Sequence, residues 1–186
     1  QPQRTIDEID AILEIRELGR SYRSFFRFAW ALANPGTMLV EDWLLHCEID
    51  YAEAWLRGQC PWLIFCAPRG AGKSWPFSRF SQAWAWTWDP TMQLLSGSHD
   101  KGLAEKFATD GRRLIESAPY RSRWGGNATL KAFRRVAFAP DQNAKMNYRN
   151  TQGGFREVVT IGGGPGQRAR CGLLDDPQTD TAEKSY

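Results

Sequence analysis

The sequence predicts an α/β fold in which a mainly parallel sheet is flanked by helices. Short apolar runs, of the kind found in strands buried on both faces, alternate along the chain with apolar residues at helical spacing. A glycine-rich loop lies between the first of these runs and a helical stretch, which is typical of α/β proteins. At 186 residues, the chain is long enough to bury a core of ordinary size.

The elements follow from apolar spacing and from helix start and stop signals. We expect N-caps at Thr5, which precedes an acidic first turn, and at Asp100. Helices are predicted over residues 6–18, 22–33, 39–56, 77–88 and 103–114. Strands are predicted over residues 62–66, 92–98, 155–161 and 171–174.

An aromatic stripe lies on one face of the predicted helix 77–88, formed by Phe77, Phe80, Trp84 and Trp88. Such a stripe can stack on nucleic-acid bases or pack in a core. Aromatic residues at helical spacing favour the core, so we expect this face to lie under the sheet.

The charge of the whole chain is only mildly basic, since 24 Lys and Arg oppose 21 Asp and Glu. Residues 111–156 carry ten basic side chains against two acidic ones, which suits a polyanion or forms a solvated basic face. The ten are Arg112, Arg113, Arg121, Arg123, Lys131, Arg134, Arg135, Lys145, Arg149 and Arg156.

Neither a membrane span nor secretion is indicated, because the chain has no run of about 18 apolar residues and no signal peptide. The four cysteines form no CxxC pair, and two of them fall in predicted strands. We therefore expect buried, reduced thiols, and with two histidines no zinc site.

The stretch APRGAGKS, residues 67–74, follows the first predicted strand and is called the glycine loop below. A strand, such a loop and a helix that begins after Lys-Ser together predict a phosphate-binding loop. Backbone N–H groups of residues 70–74 would grip the β-phosphate, and Lys73 would lie between the β- and γ-phosphates. Ser74 would offer its hydroxyl to Mg²⁺. The match is a variant, because Ala67 stands where the usual pattern has glycine.

The stretch CGLLDDPQ, residues 171–178, supplies two carboxylates directly after a predicted strand. Asp175 would hold Mg²⁺ and Asp176 would orient or deprotonate the attacking water. The alternative is that the pair only caps a turn before Pro177. Asp175 lies 102 positions after Lys73, which leaves room for an added strand. These motifs predict a P-loop NTPase of the additional-strand, catalytic-acid type.

The two motifs, with the glycine-rich IGGGPGQR before the second, resemble the ATPase domain of terminase large subunits of tailed bacteriophages. These proteins are motors that thread viral DNA into capsids. The resemblance implies ATP and Mg²⁺ as cofactors, and double-stranded DNA, the portal protein and the small terminase subunit as partners. It also implies a homo-oligomeric ring in the host cell cytoplasm.

The resemblance also assigns roles within the glycine loop. Pro68, Arg69, Gly70, Ala71, Gly72, Lys73 and Ser74 would bind the nucleotide. Arg69, four residues before Lys73, would contact or sense the γ-phosphate, with Asp176 and Lys73 as the other catalytic residues. A guanidinium suits phosphate oxygens, but it would equally pair with a carboxylate that holds the loop.

The chain departs from the family pattern at two positions. Asp176 is one methylene shorter than the glutamate of many ATPases. Pro165 stands where related terminases often have an arginine that acts on a neighbouring subunit, so Arg168, Arg170 or a basic residue of 111–156 would substitute.

Two domain segments are expected: a helical section over residues 1–57, packed beside the nucleotide site, and the ATPase core over residues 58–186. Only ten residues follow Asp176. We therefore expect a fold that is incomplete at its C-terminus and carries no nuclease domain.

Two alternatives to a packaging motor stay open. A helicase-type translocase uses a similar loop, although helicases usually show Asp-Glu followed by Ala-His or Ala-Asp at the second motif. A nucleotide-binding module that drives assembly without hydrolysis would also use these residues.

Overall fold

The protein is a mixed α/β fold, a five-stranded sheet flanked by helices, in a computed structural model. The structure describes residues 5–68, 70–98, 100–126, 128, 136–143, 146–160 and 168–176. The helices are α1 (Ile6–Arg20), α2 (Tyr22–Ala33), α3 (Trp43–Leu56), α4 (Ser81–Trp88), α5 (Lys101–Glu116) and α6 (Ala118–Trp124). The strands are β1 (Gln93–Ser98), β2 (Phe138–Asn143), β3 (Tyr148–Asn150), β4 (Phe155–Thr160) and β5 (Cys171–Leu174).

The sheet has the strand order β2-β3-β4-β1-β5 and is mixed. Strand β1 is parallel to β4 and to β5, whereas β2 with β3 and β3 with β4 are antiparallel. The prediction of a mainly parallel sheet is therefore wrong. The cause is local: the Asn150 side chain accepts hydrogen bonds from the backbone of Gln152 (2.9 Å) and Gly154 (3.0 Å). This closes a tight turn, and tight turns join antiparallel strands.

The predicted strand over residues 62–66 is not a strand of this sheet. The segment is extended, and Leu63 and Phe65 pack against the core. Trp62 and Ile64 point the other way and are 93% and 92% exposed, so the segment is buried on one face and not on two. Cys66 is likewise exposed, contrary to the expectation of a buried thiol, and all four cysteines are free.

Helix boundaries agree with the sequence where a cap fixes them. Thr5 forms a capping box with Glu8, and the Asp100 side chain caps α5, as predicted. Helix α3 begins at Trp43 and not at residue 39, because the Asp42 carboxylate accepts the N–H of Leu45 (2.8 Å) and starts the helix there.

The aromatic stripe packs in the core, as expected, but its described ring contacts reach helices α2 and α3 and not the sheet. Phe80 and Trp84 are fully buried, and the Trp84 ring stacks on Tyr22 of α2 with centroids 4.6 Å apart. The Trp84 indole also donates to the Leu18 carbonyl at the end of α1 (3.0 Å). The first two helices are thus fixed to the chain that follows the glycine loop. Within the described residues, no helix is both long and apolar enough to cross a membrane.

Candidate functional site

The backbone of the glycine loop requires glycine at two positions. Gly70 has φ of +84° and Gly72 has φ of +100°, conformations that side chains with a Cβ rarely adopt. A Cβ at Gly70 would meet no described atom within 4 Å, so the requirement there comes from the backbone angle. Arg69, the predicted γ-phosphate contact, lies outside the described residues.

A π-helical turn, Trp75–Arg79, follows the loop in place of the first turn of the predicted helix. Pro76 lies in this turn, where a missing N–H costs little, as expected. The buried hydroxyl of Tyr22 donates to the Pro76 carbonyl. Helix α2 therefore fixes, through this hydrogen bond, the turn that directly follows Lys73 and Ser74.

The two predicted acids directly follow β5, and Asp175 contacts the glycine loop and the π-helical turn after it. Its carboxylate accepts hydrogen bonds from the hydroxyls of Ser74 (3.0 Å) and Ser78 (2.7 Å), and the residue is 9% exposed. The Asp175 N–H donates to the Gly97 carbonyl of β1 (2.9 Å), which fixes the end of β5 to its neighbour. The loop and the acid meet although Ser74 and Asp175 are 101 positions apart.

Asp176 takes a left-handed backbone conformation, with φ of +46°. Its carboxylate forms an ion pair with the Lys73 ammonium at 3.1 Å and is about half exposed. Left-handed backbone at a non-glycine residue is uncommon and costs free energy, and such residues cluster at functional sites. The structure thus brings Lys73, Ser74, Asp175 and Asp176 together at one edge of the sheet.

Ser78 was not singled out by sequence reasoning. It lies four positions after Ser74, so the two hydroxyls face the same side of a helical segment. That spacing was the available signal. The Ser78 hydroxyl donates a hydrogen bond to the buried Asp175 carboxylate, and this stabilises the site because a buried carboxylate needs hydrogen-bond donors.

Arg79 is the second cation near Asp175 and Asp176, which are together called the acid turn below. Its guanidinium stacks over Trp75 (3.9 Å to the ring centroid) and Phe107 (4.8 Å), and it pairs with Asp110 of α5 at 3.2 Å. Burial lowers the pKa of Arg79, while Asp110 and Asp175 act in the opposite direction. Arg79 therefore links α5 to the electrostatics of the site.

Glu48 of α3 is a buried acid beside the loop that sequence reasoning also missed. The residue is 0% exposed, and neither carboxylate oxygen has a hydrogen-bond partner among the described residues. Burial raises its pKa to about 7; Asp42 adds to the shift and Lys73 opposes it. An acid within a helix carries no sequence signal of burial, because only the tertiary packing of α3 on the loop reveals it.

Half of the described basic residues of 111–156 are buried or closely paired. Arg156 of β4 is buried, Arg123 pairs with Glu14 (2.7 Å) and Arg112 pairs with Glu116 (2.9 Å). Arg113, Arg121 and Arg149 are exposed. Lys131, Arg134, Arg135, Lys145 and Pro165 lie outside the described residues.

The residues present fit a magnesium ion. Mg²⁺ prefers hard oxygen ligands and is commonly held by one or two carboxylates together with phosphate oxygens and water. The Ser74 hydroxyl and the Asp175 carboxylate provide two such groups side by side. Across the described ranges, no group of three or more His, Cys, Asp or Glu residues is placed to hold a metal.

Comparison of the chain with protein-family models, with curated proteins and with solved structures gave no match.

A Glu48→Gln variant is expected to gain more stability over the unmodified protein at pH 8 than at pH 5. Since the pKa of Glu48 is about 7 in the folded protein, against an ordinary value of 4.5 for a glutamate, the folded state loses stability as pH rises through that window. Glutamine removes this loss, so the gain in the free energy of unfolding should grow by about 2 kcal/mol between the two pH values. Urea unfolding at both pH values measures it.

The matched control is Asp50→Asn, which removes an exposed carboxylate from the same helix. Its free energy of unfolding should follow that of the unmodified protein with pH. If Glu48→Gln follows it too, Glu48 does not titrate with a raised pKa.

Proposed function

We propose that the chain is the ATP-hydrolysing part of a DNA-packaging motor of the terminase type, with Mg-ATP bound at the glycine loop. The contact between the loop and the acid turn carries the proposal: Ser74 lies 3.0 Å from Asp175, and Lys73 lies 3.1 Å from Asp176. In P-loop nucleotide hydrolases, a lysine and a hydroxyl from the loop act with carboxylates from a neighbouring strand on one triphosphate. We also infer the additional-strand P-loop class and the two segments 1–57 and 58–186.

Each residue has a distinct role in this proposal. Lys73 would exchange its ion pair with Asp176 for the β- and γ-phosphate oxygens. Ser74 and Asp175 would hold Mg²⁺, which neutralises charge on those oxygens. Asp176, released by Lys73, would orient or deprotonate the attacking water. Arg69 keeps its proposed contact with the γ-phosphate.

The DNA part of the proposal has separate support. The motif resemblance supplies the motor, the portal protein and small subunit as partners, the homo-oligomeric ring and the host cytoplasm. The basic character of residues 111–156 supports contact with a polyanion, and Arg113, Arg121 and Arg149 are its exposed described members.

One observation favours a nucleotide-binding module that does not hydrolyse. In the present arrangement the Asp176 carboxylate is occupied by the Lys73 ammonium, at 3.1 Å. The two functions differ in whether nucleotide binding separates this pair.

Replacement of Lys73 by alanine is expected to weaken Mg-ATP binding about tenfold or more, because it removes the cation that contacts the phosphates. Isothermal titration calorimetry measures the affinity. The control is Lys101→Ala, which removes an exposed lysine paired only loosely with Glu105 at 3.7 Å, and it should bind as the unmodified protein does. Unchanged affinity in Lys73→Ala would refute the phosphate-loop assignment.

The Asp176→Asn variant is expected to bind Mg-ATP and to lose about a hundredfold or more in ATP turnover, because the amide cannot take a proton from water. Turnover is measured by phosphate release with and without double-stranded DNA. Asp10→Asn, an exposed change on α1, serves as the control. Turnover that persists in Asp176→Asn removes this residue from the mechanism.

A further inference from the structure

Glu48 of helix α3 lies next to the glycine loop. One carboxylate oxygen lies 3.9 Å from the place a Cβ would occupy on Gly72. The residue has no exposed surface, and within the described chain its carboxylate accepts no hydrogen bond. An ionised carboxylate in such a place is costly unless a cation compensates it, whereas a protonated one carries no charge.

Among the described residues, two charged groups act on Glu48. Asp42, at the start of the same helix, disfavours the ionised form, and Lys73 of the loop favours it. The cations on the elements that pack against α3 are engaged elsewhere. Arg23 forms an ion pair with Asp50, Arg27 with Glu41 and Arg79 with Asp110. Lys73, which also pairs with Asp176, is the cation of the described loop residues whose charge acts on Glu48. A phosphate in the loop would draw this same cation away.

A polyphosphate in the loop would disfavour the ionised form of Glu48 in two ways. Its charge repels an ionised Glu48 through a water-poor environment, and it takes the ammonium of Lys73 for its own oxygens. We propose that Glu48 is a positioning residue that takes up one proton from solvent when a polyphosphate occupies the glycine loop. This proposal rests on the nucleotide site proposed above. The proton adds to one carboxylate oxygen and leaves when the phosphate leaves, and no other bond changes.

This proton gives helix α3 a chemical response to the occupancy of the loop. The neutral acid has an O–H group to donate, whereas the ionised form only accepts. The side chain thereby changes its hydrogen-bonding character at the contact between the helical section and Gly72. Because binding then consumes a proton, Mg-ATP affinity should fall as pH rises above 7.

The test is calorimetry of Mg-ATP binding at pH 8 in two buffers of different ionisation enthalpy, HEPES and Tris. At this pH the terminal phosphate of ATP carries no proton, since its pKa is about 6. The unmodified protein should take up about half a proton or more per ATP bound. The Glu48→Gln variant should take up none and bind at least as tightly at pH 8. The Asp50→Asn control should behave as the unmodified protein.

The outcomes separate this inference from the proposed function. If the unmodified protein does not bind Mg-ATP, the nucleotide site itself is wrong and this inference is wrong with it. If it binds without proton uptake, or if Glu48→Gln keeps the same uptake, Glu48 has no such role and the nucleotide site stands. If Glu48→Gln does not fold, the unmodified protein decides: its Mg-ATP affinity should drop about tenfold from pH 7 to pH 9, and a flat profile overturns the inference.

Discussion

Two serine hydroxyls hold the buried carboxylate of Asp175, and the rest of the site depends on this contact. A buried carboxylate without donors is costly, so the hydrogen bonds from Ser74 and Ser78 fix the glycine loop and the π-helical turn against the end of β5. The N–H of Asp175 is in turn bound to β1, and the Tyr22 hydroxyl holds the π-helical turn from the other side. The sheet edge, the loop and the helical section therefore meet at one carboxyl group.

The charges around this carboxylate are arranged in opposed pairs. Lys73 pairs with Asp176, while Arg79 is partly buried, lies near enough to Asp175 to feel its charge and pairs with Asp110. Glu48 stands apart from these pairs as a buried acid whose pKa is raised to about 7. An anionic ligand that engages Lys73 disturbs this balance at two acids at once. Under the proposed function, phosphate binding would thereby be coupled to the acid turn and to helix α3.

Much of the fold was predictable from local signals, and its errors have physical causes. Helices α1 and α5 were predicted because Thr5 and Asp100 cap them, and β4 and β5 because apolar residues dominate them. The run 62–66 was taken as a buried strand because an apolar pattern does not reveal which partner, if any, an extended segment pairs with. Strand β2 (sequence FAPDQN) is mostly polar and contains a proline, and β3 has only three residues, so neither gave a strand signal.

The candidate site divides in the same way. Lys73, Ser74, Asp175 and Asp176 were predicted because their chemistry is tied to short motifs, and the structure brings all four together. Glu48, Ser78 and Arg79 were missed because their importance comes from contacts between elements distant in sequence. The central claim is that the loop and the acid turn hold one nucleotide between them.

A crystal structure with Mg²⁺ and a non-hydrolysable ATP analogue tests that claim most directly. The account predicts the triphosphate in the curve of residues 70–74, with Mg²⁺ bound to the Ser74 hydroxyl and to Asp175 directly or through water. An analogue bound elsewhere, or an acid turn directed away from the phosphates, would contradict it.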